Sequence, residues 1–438
     1  MSAVRQAAIL CGGLGTRLRP YTDTLPKPMI PVNGRPFLAY LIEQLREQGI
    51  ARVVLLTGYR GEQIEDHFGD GSAFGVQISY ARGPAEWETG RRLWEAREQL
   101  QPQFLLLYSD NFVPFDLGKL QEFHSMRARP VSLTVAAKAN GNIRVGADGI
   151  VQRYDSSRSA ADLNCVEIGY MLVERDAVLP LLTPADVGFS SILRRLAERS
   201  ALAGMICGDR YHSISDPQRW KLAEQYLRIK RILLIDRDGT LNVRPPRTWY
   251  VSRWEDFRWL PGALEGIEAL AASGFSFVLI SNQAGIARGL VTREAVDAVN
   301  NRLADELAAR GAKLLKTYVC PHDWDAGCDC RKPAPGMYFA AAQDYLLRLD
   351  RTFYVGDDPR DCQAAYNANC PSVFVGDESE LTSLSAAERP RHAARNLAQA
   401  VPWIVSRFAE WESEQDAGVA RVGSTMPRAG VRQRGAAN

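Results

Sequence analysis

The sequence predicts an α/β protein of two successive domains, each a mostly parallel sheet with helices on both faces. Three observations carry this. The chain has 438 residues, more than one core organises at roughly 150 residues per domain. Short apolar runs bounded by Gly, Asp or Asn alternate with segments of helical period. The alternation starts afresh near residue 230, with a different order of motifs.

Residues 7–11, 53–57, 104–108, 132–137 and 166–173 are the predicted strands of the first series, separated by helical stretches such as "FLAYLIEQLREQGI". The segment "DPQRWKLAEQYLRIKR" reads as a closing helix that runs into the next strand, which places the boundary at 228–231 and the domains at 1–228 and 229–410. The second series comprises "RILLID" (231–236), "FSFVLIS" (275–281), "LLKTYVC" (314–320), "RTFYVGD" and "PSVFVGD". Between two of these lies a helix capped by Thr292, with Val296, Val299, Leu303 and Leu307 on one face and Gly311 past its end. From 411 to 438 periodicity and large apolar residues fade, and a disordered tail is expected.

Composition narrows the function classes. A formal charge of +2 gives no global drive toward nucleic acid or anionic lipid, so anion binding must be local. There is no run of eighteen apolar residues and no secretory leader pattern, so membrane insertion is not expected and the cytoplasm is the expected location. In that compartment the eight cysteines stay reduced, and clustered ones favour metal over disulfide. Arginine outnumbers lysine 45 to 8, which makes each lysine informative; Lys27 and Lys332 both precede a proline.

In the second half, "ILLIDRDGTLN" places Asp236 at a strand end and Asp238 two residues on, so that one carboxylate can attack while the other handles protons. "VLISNQAG" offers Ser281 and Asn282 for phosphoryl oxygens, "RKP" offers Lys332 as a compact charge, and "FYVGDDPRD" offers Asp357 and Asp361, of which one can complete a Mg²⁺ site with Asp236. Cys320, His322, Cys328 and Cys330 have the donors and clustering of a closed Cys₃His zinc site, which would clamp the loop leading into Arg331 and Lys332.

The order of these motifs resembles the haloacid dehalogenase superfamily over residues 231 to about 377. The pairing of zinc loop with "CRKP" resembles the branch of D-glycero-D-manno-heptose 1,7-bisphosphate phosphatases and histidinol-phosphate phosphatases, which lack a large cap domain. The resemblance implies that Asp236 forms an aspartyl-phosphate and that Asp238 protonates the leaving oxygen, then activates water. It further implies that Lys332 offsets charge, and that Mg²⁺ sits on Asp236, the Asp238 carbonyl and Asp357. Arg331 is the candidate for the substrate's other phosphate or hydroxyls.

In the first half, a strand leads into Gly12, Gly13, Leu14, Gly15, Thr16 and Arg17. The glycines bring backbone N–H groups close to phosphate oxygens, and Arg17 can stabilise leaving pyrophosphate. With Lys27 in "LPKPM", this stretch resembles the sugar-1-phosphate nucleotidyltransferase signature over residues 5 to about 228. The resemblance makes Asp110 a Mg²⁺ ligand and Glu167 and Gly169 sugar contacts. Ser213 stands where the family places a second metal-binding carboxylate. Asp216, three residues on, reads as a helix cap before Pro217.

Together the halves imply consecutive steps: a phosphatase leaving heptose 1-phosphate, and a nucleotidyltransferase activating it for surface polysaccharide or lipopolysaccharide. The expected partners are sugar phosphates and a nucleoside triphosphate, with homo-oligomerisation left open. Two alternatives stand beside this reading: a histidinol-phosphate phosphatase, and a first half that binds sugar nucleotide without turnover.

Overall fold

The computed structural model describes residues 4–185, 187–207, 211–246 and 248–422, with side chains as far as 415. Among the described residues the first sheet has nine strands. Its principal members are β1 (Gln6–Cys11), β2 (Arg52–Thr57), β3 (Gln77–Arg82), β4 (Gln103–Tyr108), β5 (Val131–Ala137), β6 (Cys165–Glu174) and β7 (Leu202–Ile206). The central order is β6–β4–β1–β2–β3, with β1 parallel to β2 and β4, and β6 antiparallel to β4 and β5. Alternation along β1 sends Ala7, Ile9 and Cys11 into one core and Ala8 and Leu10 into another, so both faces of the sheet are covered.

The second sheet is parallel throughout. It comprises β8 (Ile232–Ile235), β9 (Ser276–Asn282), β10 (Lys313–Cys320), β11 (Tyr354–Gly356), β12 (Ser372–Val375) and β13 (His392–Ala394), in the order β10–β9–β8–β11–β12–β13. Leu233 and Ile235 face one core and Leu234 the other. The helix Arg293–Ala308 forms as expected: Thr292 Oγ1 accepts from Ala295 N at 3.1 Å, and Val296, Val299, Leu303 and Leu307 are buried.

Both strand orders reverse beside their first strand. In the first sheet β2 and β3 lie to one side of β1 and β4 to the other; in the second, β9 and β10 lie to one side of β8 and β11 to the other. Crossovers diverge at such a point and leave a crevice at the carboxyl ends of the two adjoining strands. The turns after β1 and β4, and those after β8 and β11, carry the motifs singled out above.

The expected tail requires correction. The final helix, Leu397–Val422, passes through 411 without a break. Trp411 is buried and stacks on Phe353 at 4.8 Å, Glu412 pairs with Arg231 at 2.6 Å, and Gln415 Nε2 donates to the Leu227 carbonyl at 3.3 Å. Ile404, Phe408 and Trp411 are spaced i, i+4, i+7, so one apolar stripe continues past the predicted end. Residues 423–438 of that expectation lie outside the described residues.

Charged groups join the two sheets' layers. Arg351, buried, pairs with Glu47 and approaches Glu43 at 3.6 Å, while Arg35 holds Glu43 from the other side at 3.0 Å. Lys119 Nζ donates to the Tyr366 carbonyl at 2.5 Å and to Asn369 Oδ1 at 2.8 Å. Removing one member of a fully buried ion pair costs roughly 3–5 kcal/mol. Glu47 is partly exposed, so Arg351→Met is expected to lower stability by about 2 kcal/mol in urea unfolding. An unchanged midpoint would show that this contact does not brace the halves.

Two candidate active sites

At the second crevice, Lys332 Nζ lies 2.9 Å from Asp236 Oδ1 and 2.7 Å from Asp361 Oδ1, and donates to Tyr354 Oη at 2.7 Å. Carboxylate oxygens of Asp236, Asp357 and Asp361 lie within 4.8 Å of one another. Gly239 makes this approach possible: at φ +101°, a Cβ there would sit 1.8 Å from Asp357 Oδ2. Burial pushes the Asp236 carboxyl up to about 8, with Lys332 pulling against it and Asp361 and Asp357 adding to the rise. Burial likewise pushes Asp357 up to about 6 despite Arg244, which binds it at 2.5 Å.

Asp238 has a different environment. Arg237, which is fully buried, donates to it from Nη2 at 2.9 Å and Nε at 3.2 Å; Asn242 Nδ2 adds a bond at 3.0 Å and Gln283 Nε2 one at 2.7 Å. Burial alone would raise its carboxyl, but these donors outweigh it and hold Asp238 below the usual range. Asp236, Asp238, Ser281, Asn282, Arg331, Lys332 and Asp361 border one cavity of about 550 Å³, together with Arg244, Trp249, Trp324 and Arg360.

Asn282, which borders the cavity, also holds the lysine: Oδ1 accepts from the Lys332 N–H and Nδ2 donates to the Lys332 carbonyl, both at 3.1 Å. Both ends clamp the lysine's backbone. Ser281 Oγ accepts from Gln283 at 2.9 Å and keeps its own proton for the cavity side.

The four soft donors converge. His322 Nδ1 is 3.2 Å from Cys330 Sγ and 3.6 Å from Cys320 Sγ, and Cys328 Sγ is 3.5 Å from Cys330 Sγ and 3.7 Å from Cys320 Sγ. Sulfurs bound about 2.3 Å from a tetrahedral ion stand roughly 3.8 Å apart, so the cluster has the dimensions of a zinc cage. Cys320 closes β10, and two residues past Cys330 the chain reaches Lys332.

At the first crevice, Gly12, Gly13, Gly15, Thr16, Arg17, Lys27, Tyr108 and Asp110 border a cavity of about 500 Å³. Lys27 Nζ sits 2.5 Å from Asp110 Oδ2. Gly15 adopts φ +62° at the tight turn into Thr16–Leu18. Glu167 and Gly169 do not border this cavity; they lie behind Tyr108. Gly169, at φ +87°, leaves room for that ring, since a Cβ there would fall 2.8 Å from Tyr108 Cδ2. Desolvation pushes Glu167 up to about 7, against a 2.6 Å hydrogen bond from Tyr154 Oη. Ser213 pairs in a short ladder with Asn111, and its hydroxyl is 3.1 Å from that of Ser215, which borders the cavity. Asp216 caps the helix Pro217–Leu227, accepting from Arg219 N at 2.9 Å, and so supplies no replacement carboxylate.

Comparison with known proteins matches residues 6–155 to the nucleotidyl transferase family and 329–400 to the HAD-hydrolase-like family. The D-glycero-beta-D-manno-heptose-1,7-bisphosphate 7-phosphatase of Bordetella bronchiseptica is 37% identical over 151 residues, 33% of this chain and 80% of that protein. The corresponding enzyme of Thermosynechococcus vestitus is 36% identical over 192 residues, 40% of this chain and 96% of its own length. Through its second half, the chain belongs to the heptose-bisphosphate 7-phosphatase family. Among solved structures, a D,D-heptose 1,7-bisphosphate phosphatase from B. bronchiseptica with magnesium and phosphate is similar at 31% identity and TM-score 0.38, covering 41% of this chain and 99% of that one. HddC from Yersinia pseudotuberculosis is similar at 21% identity and TM-score 0.45, covering 51% of this chain and 100% of that one. The chain thus joins a nucleotidyltransferase domain to a phosphatase domain, two activities in one polypeptide.

Arg237, Arg244 and Gln283 at the phosphatase site and Arg92 at the other are not among the candidate residues named from the sequence. A signal existed for Arg237, which sits between two aspartates on a buried strand end, where a cation needs a partner.

Proposed function

We propose that the chain catalyses two consecutive steps toward a nucleotide-activated heptose. The second domain removes the 7-phosphate of D-glycero-D-manno-heptose 1,7-bisphosphate, and the first transfers a nucleotidyl group from a nucleoside triphosphate to the sugar 1-phosphate, releasing pyrophosphate. The observation that carries the reading is the meeting of Asp236, Lys332 and Asp357 at the β8/β11 crevice in a chain that also holds a glycine-turn cradle.

In the phosphatase step, Asp236 Oδ attacks phosphorus as the ester P–O bond breaks, the leaving sugar oxygen gains a proton through Asp238, and Lys332 offsets the charge of the transferring phosphoryl group. Asp238, kept ionised by its four donors, suits the second of its expected duties, taking a proton from the water that cleaves the aspartyl-phosphate. Three buried carboxylates against Lys332 and Arg244 leave excess negative charge, a condition a divalent cation relieves, so Asp236, Asp357 and the Asp238 carbonyl fit Mg²⁺. The ion, when bound, would neutralise phosphoryl oxygens. Arg331, Arg244 and Arg360 around the mouth suit the substrate's second anionic group.

In the transfer step, the sugar phosphate oxygen attacks the α-phosphorus directly. Arg17 and Lys27 would meet the triphosphate, and Asp110 would hold Mg²⁺. Glu167 and Gly169 would shape the sugar side through Tyr108. Cytoplasmic location and a role in lipopolysaccharide supply follow from this reading; no helix among the described residues is long and apolar enough to cross a membrane.

Cys320, His322, Cys328 and Cys330 would hold zinc as a staple with no open coordination position. Cys328→Ser is expected to lower bound zinc well below one equivalent by elemental analysis and to slow phosphate release about ten-fold through a loosened Lys332. Full zinc content in the variant would overturn the ligand set.

The Ser213 and Ser215 pair favours, as a second reading, a first domain that binds sugar nucleotide without turning over. Side-by-side rates on heptose 1,7-bisphosphate and histidinol phosphate test the phosphatase assignment. A preference for histidinol phosphate would defeat it.

A further inference from the structure

We infer that Arg92 is a positioning residue of the nucleotidyl-transfer site, whose guanidinium fixes the glycine turn in the geometry that receives the triphosphate. The inference rests on the reading of the first domain as a nucleotidyltransferase.

Arg92 lies on the helix Thr89–Ala96 and is 4% exposed. Its guanidinium touches three segments distant in sequence. Nη1 donates to the Thr57 carbonyl, at the end of β2, at 2.7 Å. Nη2 donates to the Gly12 carbonyl at 3.2 Å, and to the carbonyls of Pro84 and Ala85 at 2.6 and 3.3 Å. Gly12 and Ala85 both border the cavity, and so does Arg92 itself. The fork therefore ties two walls of the site to the sheet beneath.

The direction of these bonds matters. In a planar trans peptide the carbonyl and the following N–H point oppositely. Holding the Gly12 carbonyl on Arg92, with Tyr59 N as a second donor at 3.2 Å, turns the Gly13 N–H away from the guanidinium. The space around Gly13 is open: a Cβ built there meets nothing within 4 Å. An N–H held in this way suits phosphate oxygens approaching the turn.

The two glycines next to the guanidinium leave it room. A Cβ at Gly12 would fall 2.1 Å from Arg92 Cζ, and one at Gly58 2.6 Å from Arg92 Nη2. Both positions give their side-chain space to the fork. A lysine would keep the charge, but its single ammonium cannot span Thr57, Gly12 and Pro84 in the plane that a guanidinium provides.

The test uses the full chain as Arg92→Lys, Arg92→Met and Arg92→Ala. Both long-chain variants are expected to raise the KM for the nucleoside triphosphate at least ten-fold, with the KM for sugar 1-phosphate and the rate of phosphate release by the second domain unchanged. An unchanged KM for sugar 1-phosphate shows that the first domain of each preparation is folded. In Arg92→Ala, added guanidinium ion is expected to restore transfer at least three-fold, and ammonium is not. A loss confined to kcat, with the triphosphate KM unchanged in Arg92→Lys and Arg92→Met, would overturn the proposal. Should the wild-type chain release no pyrophosphate with any triphosphate, the transferase reading fails separately. The dissociation constants of the triphosphate on the same variants then decide on Arg92, and unchanged values overturn it.

Discussion

Asp236→Asn is expected to lower phosphate release by roughly 10⁴-fold or more, the scale seen when a covalent nucleophile is removed. An amide of the same shape cannot attack phosphorus, yet it fits the cavity that Asp236 occupies. Lys332 keeps Asp361 at 2.7 Å and the Tyr354 hydroxyl, so no buried cation is stranded. Removing the charge also relieves the repulsion among Asp236, Asp357 and Asp361 that contributes to raising Asp236. The variant's thermal midpoint is therefore expected to equal or exceed that of the parent in metal-free buffer. Nucleotidyl transfer, measured as pyrophosphate release, is expected to be unchanged. Loss of both activities together would contradict the separation of the two sites.

Asp110→Asn should produce the converse pattern. Asp110 is the carboxylate that Lys27 holds at 2.5 Å beside the glycine turn, and the neighbouring positions Ser213 and Ser215 offer hydroxyls only. Its neutralisation removes the charge beside Lys27 that would bind Mg²⁺ and leaves Lys27 without its partner. Pyrophosphate release is expected to fall by roughly 10²–10³-fold, the range for losing one preorganised electrostatic contact. Phosphate release in the second domain is expected to be unchanged. A variant that transfers nucleotide at the parent rate would remove Asp110 from the site.

What could be read from the residues followed from how strand ends work. Asp236 and Lys332 are 96 positions apart; Asp236 was legible because a parallel sheet delivers its carboxyl ends to one crevice, and Lys332 because it is one of only eight lysines. The same logic served Gly12 and Asp110. Arg92 and Arg244 were not legible, because 45 arginines make any single one uninformative until its partners are known. Asn282 was legible as a site residue, whereas its clamp on the Lys332 backbone was not. The helix through Trp411 was missed for a simpler reason. Polar residues dominate 411–416, and three apolar positions at i, i+4, i+7 were enough to hold the stripe against the sheet.

The arrangement also bears on how the halves are held. The helix Leu117–Arg127 follows the Asp110 turn in the first domain, and its Lys119 caps the end of the helix Pro359–Asn367, whose first turn carries Asp361 of the second. Arg351 with Glu47 adds a second tie. The two crevices are thereby kept in one frame.

The central claim, two independent anion-handling sites acting in sequence on one sugar, is tested most directly by a single incubation. The full chain is given D-glycero-D-manno-heptose 1,7-bisphosphate, Mg²⁺ and each nucleoside triphosphate in turn, and phosphate, pyrophosphate and product mass are followed over time. Phosphate appearing first, then pyrophosphate with one triphosphate and a product of nucleoside-diphosphate-heptose mass, is the predicted result. Phosphate release with no pyrophosphate and no such mass for any triphosphate would contradict it.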